Sequence, residues 1–450
     1  MVKTRKLPLI EDFHNIPAEA LVPPEEQPYP IPAHWKWVRL GAVASYTQRG
    51  KGPRYSESRE RLAVSQKCVR WSGLDLAQAR GWNAAVFDGL DSVRRLRDLD
   101  ILWNSTGTGT LGRVAMVPLG FSAQAVPMAV DSHVTVIRTI ELMASEFLFR
   151  YLSSFGVQHD IEDRLASGTT NQKELNLSTI VSLPVPLAPL EEQQQIVTYL
   201  DEKLRKIDSV REKLQGFLNE ADARKAALIQ AGVTGHLTAR WREQHKNEVR
   251  DLDGIPADAL VPPEEQPYRI PAHWKWVRPV SVFSDATDSK RKLKQNEYLQ
   301  QGQFPVVDQG KVLIGGYSND PQLLQQTHLP VIVFGDHTRI VKYIDFPFIQ
   351  GADGTKVLKT SSVLASKYLY YWLANEPVEN LGYRRHYSLI KKAPFPLPPL
   401  EEQKEIARIL DTELERMASA NELVAIAVTN LDAMKRQLVS AALAGKLPAA

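Results

Sequence analysis

The chain has 450 residues, enough for two to four domains with real cores, and its 43% hydrophobic and 24% charged content is that of an ordinary globular protein. No run of about 18 apolar residues offers a membrane span, and the basic N-terminus MVKTRKLPLIEDFHNIP lacks the apolar core of a secretory signal. The single cysteine, Cys68, excludes an internal disulfide and a multi-cysteine metal site, and a reduced, cytoplasmic setting is expected. The net charge of +3 does not by itself announce a nucleic-acid binder, although the small positive excess lies in two stretches, residues 40–183 and 279–392.

In chain order, residues 1–39 form a tail and a Pro-rich leading segment. Its last part, IPAEALVPPEEQPYPIPAHWKWVR at 16–39, returns at 255–278 with only Glu19/Asp258 and Pro30/Arg269 changed. Proline this dense predicts an extended, turn-rich segment, with Trp35 and Trp37 (Trp274 and Trp276) anchoring it on a core. Residues 40–185 follow as a mixed interior. Strand-like runs at 100–103, 114–117 and 133–137 are punctuated by Gly, Pro, Asp and Asn, and helical spacing appears at 146–155. Residues 186–237 hold a long helix started by PLAPLEEQ and stopped by Gly235. A linker and the second leading segment (238–278) introduce a second interior, 279–395, with a strand at 329–334 and a helix at 365–375. Residues 396–450 are the second long helix, from PLPPLEEQ to Gly445. The fold class expected is α+β: two globular domains in pseudo-twofold arrangement, separated by two long antiparallel coiled-coil helices.

The helical pairing rests on matched heptad seams. One runs through Leu200, Leu204, Ile207, Leu214 and Leu218, the other through Leu410, Leu414, Met417, Val424, Val428 and Leu431. Polar residues interrupt both at matched places, Arg211 with Asn421 and Lys225 with Lys435. Such breaks fix register.

The sequence carries no recognisable catalytic motif and no metal-ligand pattern. Gly107–Gly112 matches G-x-G-x-x-G, but the residues after it read as a strand, whereas a dinucleotide fingerprint must open a helix. A glycine-rich hairpin explains it. The interiors instead carry small polar side chains on glycine loops and basic residues among aromatics, suited to phosphate oxygens and base edges. The candidates in the first interior are Arg49, Lys51, Arg54 and Tyr55; Asn104, Ser105, Thr106, Thr108, Thr110 and Arg113; and Thr169, Thr170, Asn171 and Gln172. In the second they are Asp336, His337, Thr338, Arg339 and Lys342, then Tyr383, Arg384, Arg385, His386 and Tyr387. In each copy one loop lies in mid-domain and another shortly before the long helix.

With these residues in view, the chain resembles the specificity subunit of type I restriction–modification enzymes over nearly its whole length. The resemblance is carried by the duplicated PAHWKWVR, the two PLEEQ helix starts, and the ends Thr234-Gly235-His236-Leu237 and Ala444-Gly445-Lys446-Leu447. The segments DILWNSTG from Asp100, SGTTNQ from Ser167, FGDHTR from Phe334 and GADGTK from Gly351 add to it. The resemblance implies two target recognition domains, each reading one half of a bipartite asymmetric site in double-stranded DNA, with the helices as a ruler for the gap. It implies docking of two methylation subunits and, where a nuclease is part of the complex, two restriction subunits. S-adenosylmethionine, and ATP with Mg, then belong to those partners. The chain itself would be non-catalytic, without a cofactor and away from membranes. The PPEEQPY extension departs from the family pattern. The competing class is a duplicated scaffold that binds proteins and not DNA; steep salt dependence of binding separates the two.

Overall fold

The computed structural model describes residues 7–107, 109–121, 126–167, 173–245, 252, 255–375, 378–380, 382 and 384–447, with only the backbone at 162. The chain divides into two compact units, residues 1–213 with 427–450, and residues 214–426. Each unit therefore joins one interior to parts of both long helices.

The interiors share a plan that their sequences do not announce. In the first, a sheet has the strand order Ala44–Arg49, Val134–Thr139, Ile101–Asn104, Val114–Met116, all antiparallel. In the second, the order is Phe283–Asp285, Thr355–Thr360, Val331–Gly335, Val341–Ile344, again antiparallel. The strands at 101–104 and 331–335 are buried along their whole length, which is why they read as unbroken apolar runs. A second sheet in each contains a parallel pair, Leu62–Val64 with Met128–Val130 and Phe304–Val307 with Ile349–Gly351. The helices at Ser145–Leu152 and Ser366–Ala374 close the cores, near the spans the spacing predicts. Gly107–Gly112 falls between two strands of one hairpin, as its context required.

The repeated flanks make one joint, built twice. Lys36–Arg39 pairs antiparallel with Pro184–Leu187, just before the first long helix, and Lys275–Val277 pairs with Phe395–Leu397, just before the second. Trp35, Trp37, Trp274 and Trp276 are all buried. Glu192 of the first PLEEQ accepts the Trp35 indole N–H at 2.8 Å and meets His34 Nε2 at 2.9 Å. Glu402 of the second accepts the Trp274 indole at 2.8 Å and meets His273 Nε2 at 2.8 Å. The neighbouring glutamines tie each domain helix to its long helix, because Gln193 accepts the Ala144 amide and Gln403 accepts that of Ala365.

The helix ends complete the joint. Gly235 (φ +83°) and Gly445 (φ +70°) adopt the left-handed conformation that glycine alone takes without strain. A Cβ on Gly445 would lie 2.4 Å from Pro32 Cγ, and one on Gly235 would lie 2.7 Å from Pro271 Cγ. Each helix end thus docks on a Pro-Ala-His-Trp segment. The PPEEQPY extension folds back on its own strand in both copies. Glu26 pairs with Arg39 and Glu265 with Arg278, both at 2.8 Å, while Tyr29 and Tyr268 pack edge-on against Trp37 and Trp276.

The first long helix differs from the single unbroken helix, from PLAPLEEQ to Gly235, that the sequence suggests. It is two helices, Leu190–Asn219 and Ala221–Val233, parted at Glu220. Arg224 lies over the Phe217 ring at 3.8 Å and donates to the Phe217 carbonyl at 2.5 Å, taking the place of a helical amide. The second, Leu400–Leu443, is continuous. Within the first unit the two helices run antiparallel, as Arg211–Asp432 (2.8 Å) and Asp208–Lys435 (2.6 Å) require. Within the second unit Gly232 faces Ile406 and Leu410. The seam is buried at Leu200, Leu204, Ile207 and Leu410, of which Leu200, Leu204 and Leu410 also enter the domain cores, and half-buried at Leu214, Leu218, Leu414, Met417, Val424, Val428 and Leu431. Among the described residues no helix is long and apolar enough to cross a membrane.

Candidate nucleic-acid interface

In both interiors the mid-domain hairpin loop and the segment before the long helix meet through one matched bond. The Leu175 amide donates to the Ser105 carbonyl at 2.9 Å, and the His386 amide donates to the Asp336 carbonyl at 2.9 Å. The two regions that composition singles out in each domain therefore share one face.

The candidates in the first domain divide by burial. Asn104 and Ser105 are fully buried. The Asn104 amide donates to the carbonyls of Gln66 and Thr110, both at 3.1 Å, and Ser105 Oγ meets Thr135 Oγ1 at 2.5 Å. These two hold the loop in shape; their side chains are not offered to a ligand. Arg49 is likewise committed inward, to Glu174 at 2.5 Å and the Leu175 carbonyl at 3.0 Å. Arg113 donates to the Gly109 carbonyl at 2.7 Å, closing its own loop. Thr106 Oγ1 meets His133 Nδ1 at 2.6 Å, and Thr110 Oγ1 donates to the Gly107 carbonyl at 3.2 Å. Lys51, Arg54 and Tyr55 are exposed, with the Arg80 guanidinium 3.6 Å above the Tyr55 ring. Thr108, Thr169, Thr170, Asn171 and Gln172 lie outside the described residues.

The second domain repeats the division. Asp336 is buried and its carboxylate accepts the Tyr387 amide at 2.8 Å; His386 and Tyr387 are buried beside it. Burial raises the Tyr387 phenol to about 12. Lys342 is buried too, donating to the Val312 carbonyl at 2.5 Å with Asp308 at 3.7 Å, and burial lowers its ammonium below the ordinary lysine value. These four are structural in placement, because they are enclosed and bonded within the domain. Thr338, Arg384 and Arg385 are exposed, and His337 and Arg339 are partly so, with Arg339 at φ +60° closing the turn through its amide on the Gly335 carbonyl. Tyr383 lies outside the described residues.

Composition alone does not single out Gln66 and Gln309. Gln309 Nε2 donates to the Asp353 carbonyl at 2.9 Å, and the Gln309 carbonyl accepts Thr338 Oγ1 at 2.8 Å. The signal present in the sequence is Val64-Ser-Gln-Lys against Val307-Asp-Gln-Gly-Lys, each ending an apolar run. Among the described residues no group of three His, Cys, Asp or Glu could hold a metal ion.

Two unlike loop sets on one repeated α+β plan, with two long helices, define a duplicated recognition scaffold. The chain belongs to the family described as "Type I restriction modification DNA specificity domain", whose model matches residues 32–216 and 271–423. It is 31% identical over 156 residues to the specificity subunit of the type I restriction enzyme EcoR124I/EcoR124II of Escherichia coli, an alignment spanning 32% of this chain and 38% of that relative. It is 22% identical over 316 residues to a putative type I restriction enzyme MjaX specificity subunit of Methanocaldococcus jannaschii, covering 66% of this chain and 67% of the other. The fold matches the HsdS subunit of Thermoanaerobacter tengcongensis with a TM-score of 0.60 at 19% identity, over 94% of this chain and all of that one. A chain from a structural study of complex assembly and conformational transition of the type I R–M system matches with a TM-score of 0.66 at 18% identity, over 93% of this chain and all of that one.

Proposed function

We propose that the chain is the DNA sequence-recognition subunit of a type I restriction–modification complex, each interior reading one half of a bipartite, asymmetric site. One observation carries the reading: two interiors whose central sheets share one strand order present different loop residues on the corresponding face, inside flanks that differ at two positions of 24. A symmetric dimer of a DNA reader demands a palindromic site. A single chain with a repeated scaffold and unlike interiors escapes that demand.

The long helices set the unspecified gap, and the repeated surfaces dock two copies of one methylation subunit. Support for two like partners comes from exposed residues that the joint does not need yet both copies keep, such as Glu25 and Glu264, Ala33 and Ala272, and Lys36 and Lys275. The chain is non-catalytic in this reading. S-adenosylmethionine, and ATP with Mg where restriction subunits join, are bound by the partners, and the complex works in the cytoplasm. The test is binding of the assembled complex to duplex DNA over a salt series, with the chain's own site set against an unrelated duplex. A steep negative dependence of affinity on salt, with tighter binding to one bipartite sequence, supports the reading. Binding that ignores salt and sequence returns the chain to the protein-scaffold class.

A further inference from the structure

Each domain brings a third segment to the face formed by its two loops. In the first, the strand Leu62–Val64 runs into Ser65-Gln66-Lys67. The Gln66 carbonyl accepts the Asn104 side-chain amide at 3.1 Å, and a Cβ on Gly107 would lie 3.7 Å from Gln66 Cγ. In the second, Phe304–Val307 runs into Asp308-Gln309-Gly310-Lys311. There Gln309 reaches Thr338 and Asp353, and its Oε1 accepts the His337 amide at 3.3 Å. Both strands are the ones paired in parallel with the strand that leads into the central sheet. The lysines that follow, Lys67 and Lys311, are exposed, and among the described residues neither is paired with a carboxylate.

Resting on the DNA-recognition reading, we propose that Lys67 and Lys311 are matched phosphate contacts of the two recognition domains, with Gln66 and Gln309 as the residues that position them. Shared and unshared features decide between base and phosphate. Two half-sites of different sequence have only their sugar–phosphate backbone in common. Loops that differ between the domains therefore suit base edges, and a cation carried just past the same strand in both, one residue after Gln66 and two after Gln309, suits a phosphate. An ammonium on a flexible stem serves as a point charge and needs no fixed angle, so the same residue works on either half-site. The glutamine keeps the root of that stem beside the loop that reads.

The experiment uses the full chain assembled with its methylation subunits, titrated over a salt series against its own site and an unrelated duplex. Lys67→Ala and Lys311→Ala should each weaken both duplexes by the same factor and lower the salt slope by about one. Lys→Arg at either position should restore the slope. Gln309→Ala should lower the slope as Lys311→Ala does, and the double variant should fall no further; additive losses would make Gln309 a fold-stabilising residue only. An unchanged slope in the lysine variants, beside a wild-type complex that shows the full dependence, overturns the proposal and leaves DNA recognition standing. A loss confined to the specific duplex would make the lysines base readers and also overturn it. A wild-type complex with no salt dependence at all fails the underlying reading instead.

Discussion

The indole N–H of Trp274 donates to Glu402 at 2.8 Å, inside a joint where the Glu402 side chain is wholly buried. Thr238 Oγ1 at 2.7 Å and Arg242 at 2.6 Å donate to the other oxygen of the same carboxylate. Short-range sequence makes this possible: Ala239–Gln244 is a helix that follows the Gly235 stop and carries Arg242 over the joint. In the first copy Glu192 is 39% exposed and receives only His34 and Trp35 among the described residues.

Glu402→Ala should therefore destabilise the second unit by about 3 kcal/mol, because it strands the half-buried Arg242 together with the buried Thr238 hydroxyl and Trp274 indole. Glu192→Ala should cost about 1 kcal/mol, since water can reach the vacated donors. Urea denaturation followed by circular dichroism checks the pair. Equal losses would mean that Thr238 and Arg242 add nothing to the second joint.

The pair Arg211 and Asp432 reports on helix register. Both side chains are more than 40% exposed, so a double-mutant cycle should give a coupling of only about 0.2–1 kcal/mol. The exchanged variant Arg211→Asp with Asp432→Arg should recover most of what either single change loses. Failure to recover, with both singles destabilising, would contradict the antiparallel register within the first unit.

Gly445→Ala should lower the melting temperature, through the strain of a left-handed alanine, about 1–3 kcal/mol, and through the push on Pro32. Gly216→Ala is the control, since a Cβ there meets nothing within 4 Å and the site is helical. An unshifted melting curve for Gly445→Ala would mean that the helix end does not dock on the leading segment.

Much of this is legible in the sequence. The repeat marks the joint, the apolar runs mark the strands at 101–104 and 331–335, and the heptads mark the helices, because each depends on local periodicity. The break at Glu220 is hidden, since the seam continues through it and the cause is one arginine folding back on Phe217. The candidate site is legible only as regions. Asn104, Asp336, Lys342 and His386 have the residue types of a contact surface, but three-dimensional packing buries them as braces. Composition cannot separate a polar residue that holds a loop from one that the loop presents.

The ruler has its own test. Seven residues inserted in heptad phase into both long helices should add about 10 Å, or about three base pairs at full axial projection. Methylation-aware sequencing should then find both half-sequences unchanged and a longer gap. An unchanged gap with activity retained would reduce the helices to a docking surface.

The most direct measurement of the central claim is the methylated motif written by a chain in which residues 40–183 alone are replaced by the matching interior of a family relative. Expressed with its methylation subunits, the hybrid should methylate a site in which one half-sequence is new and the other is that of the original chain. A motif changed in both halves, or in neither, would contradict the assignment of one half-site to each domain.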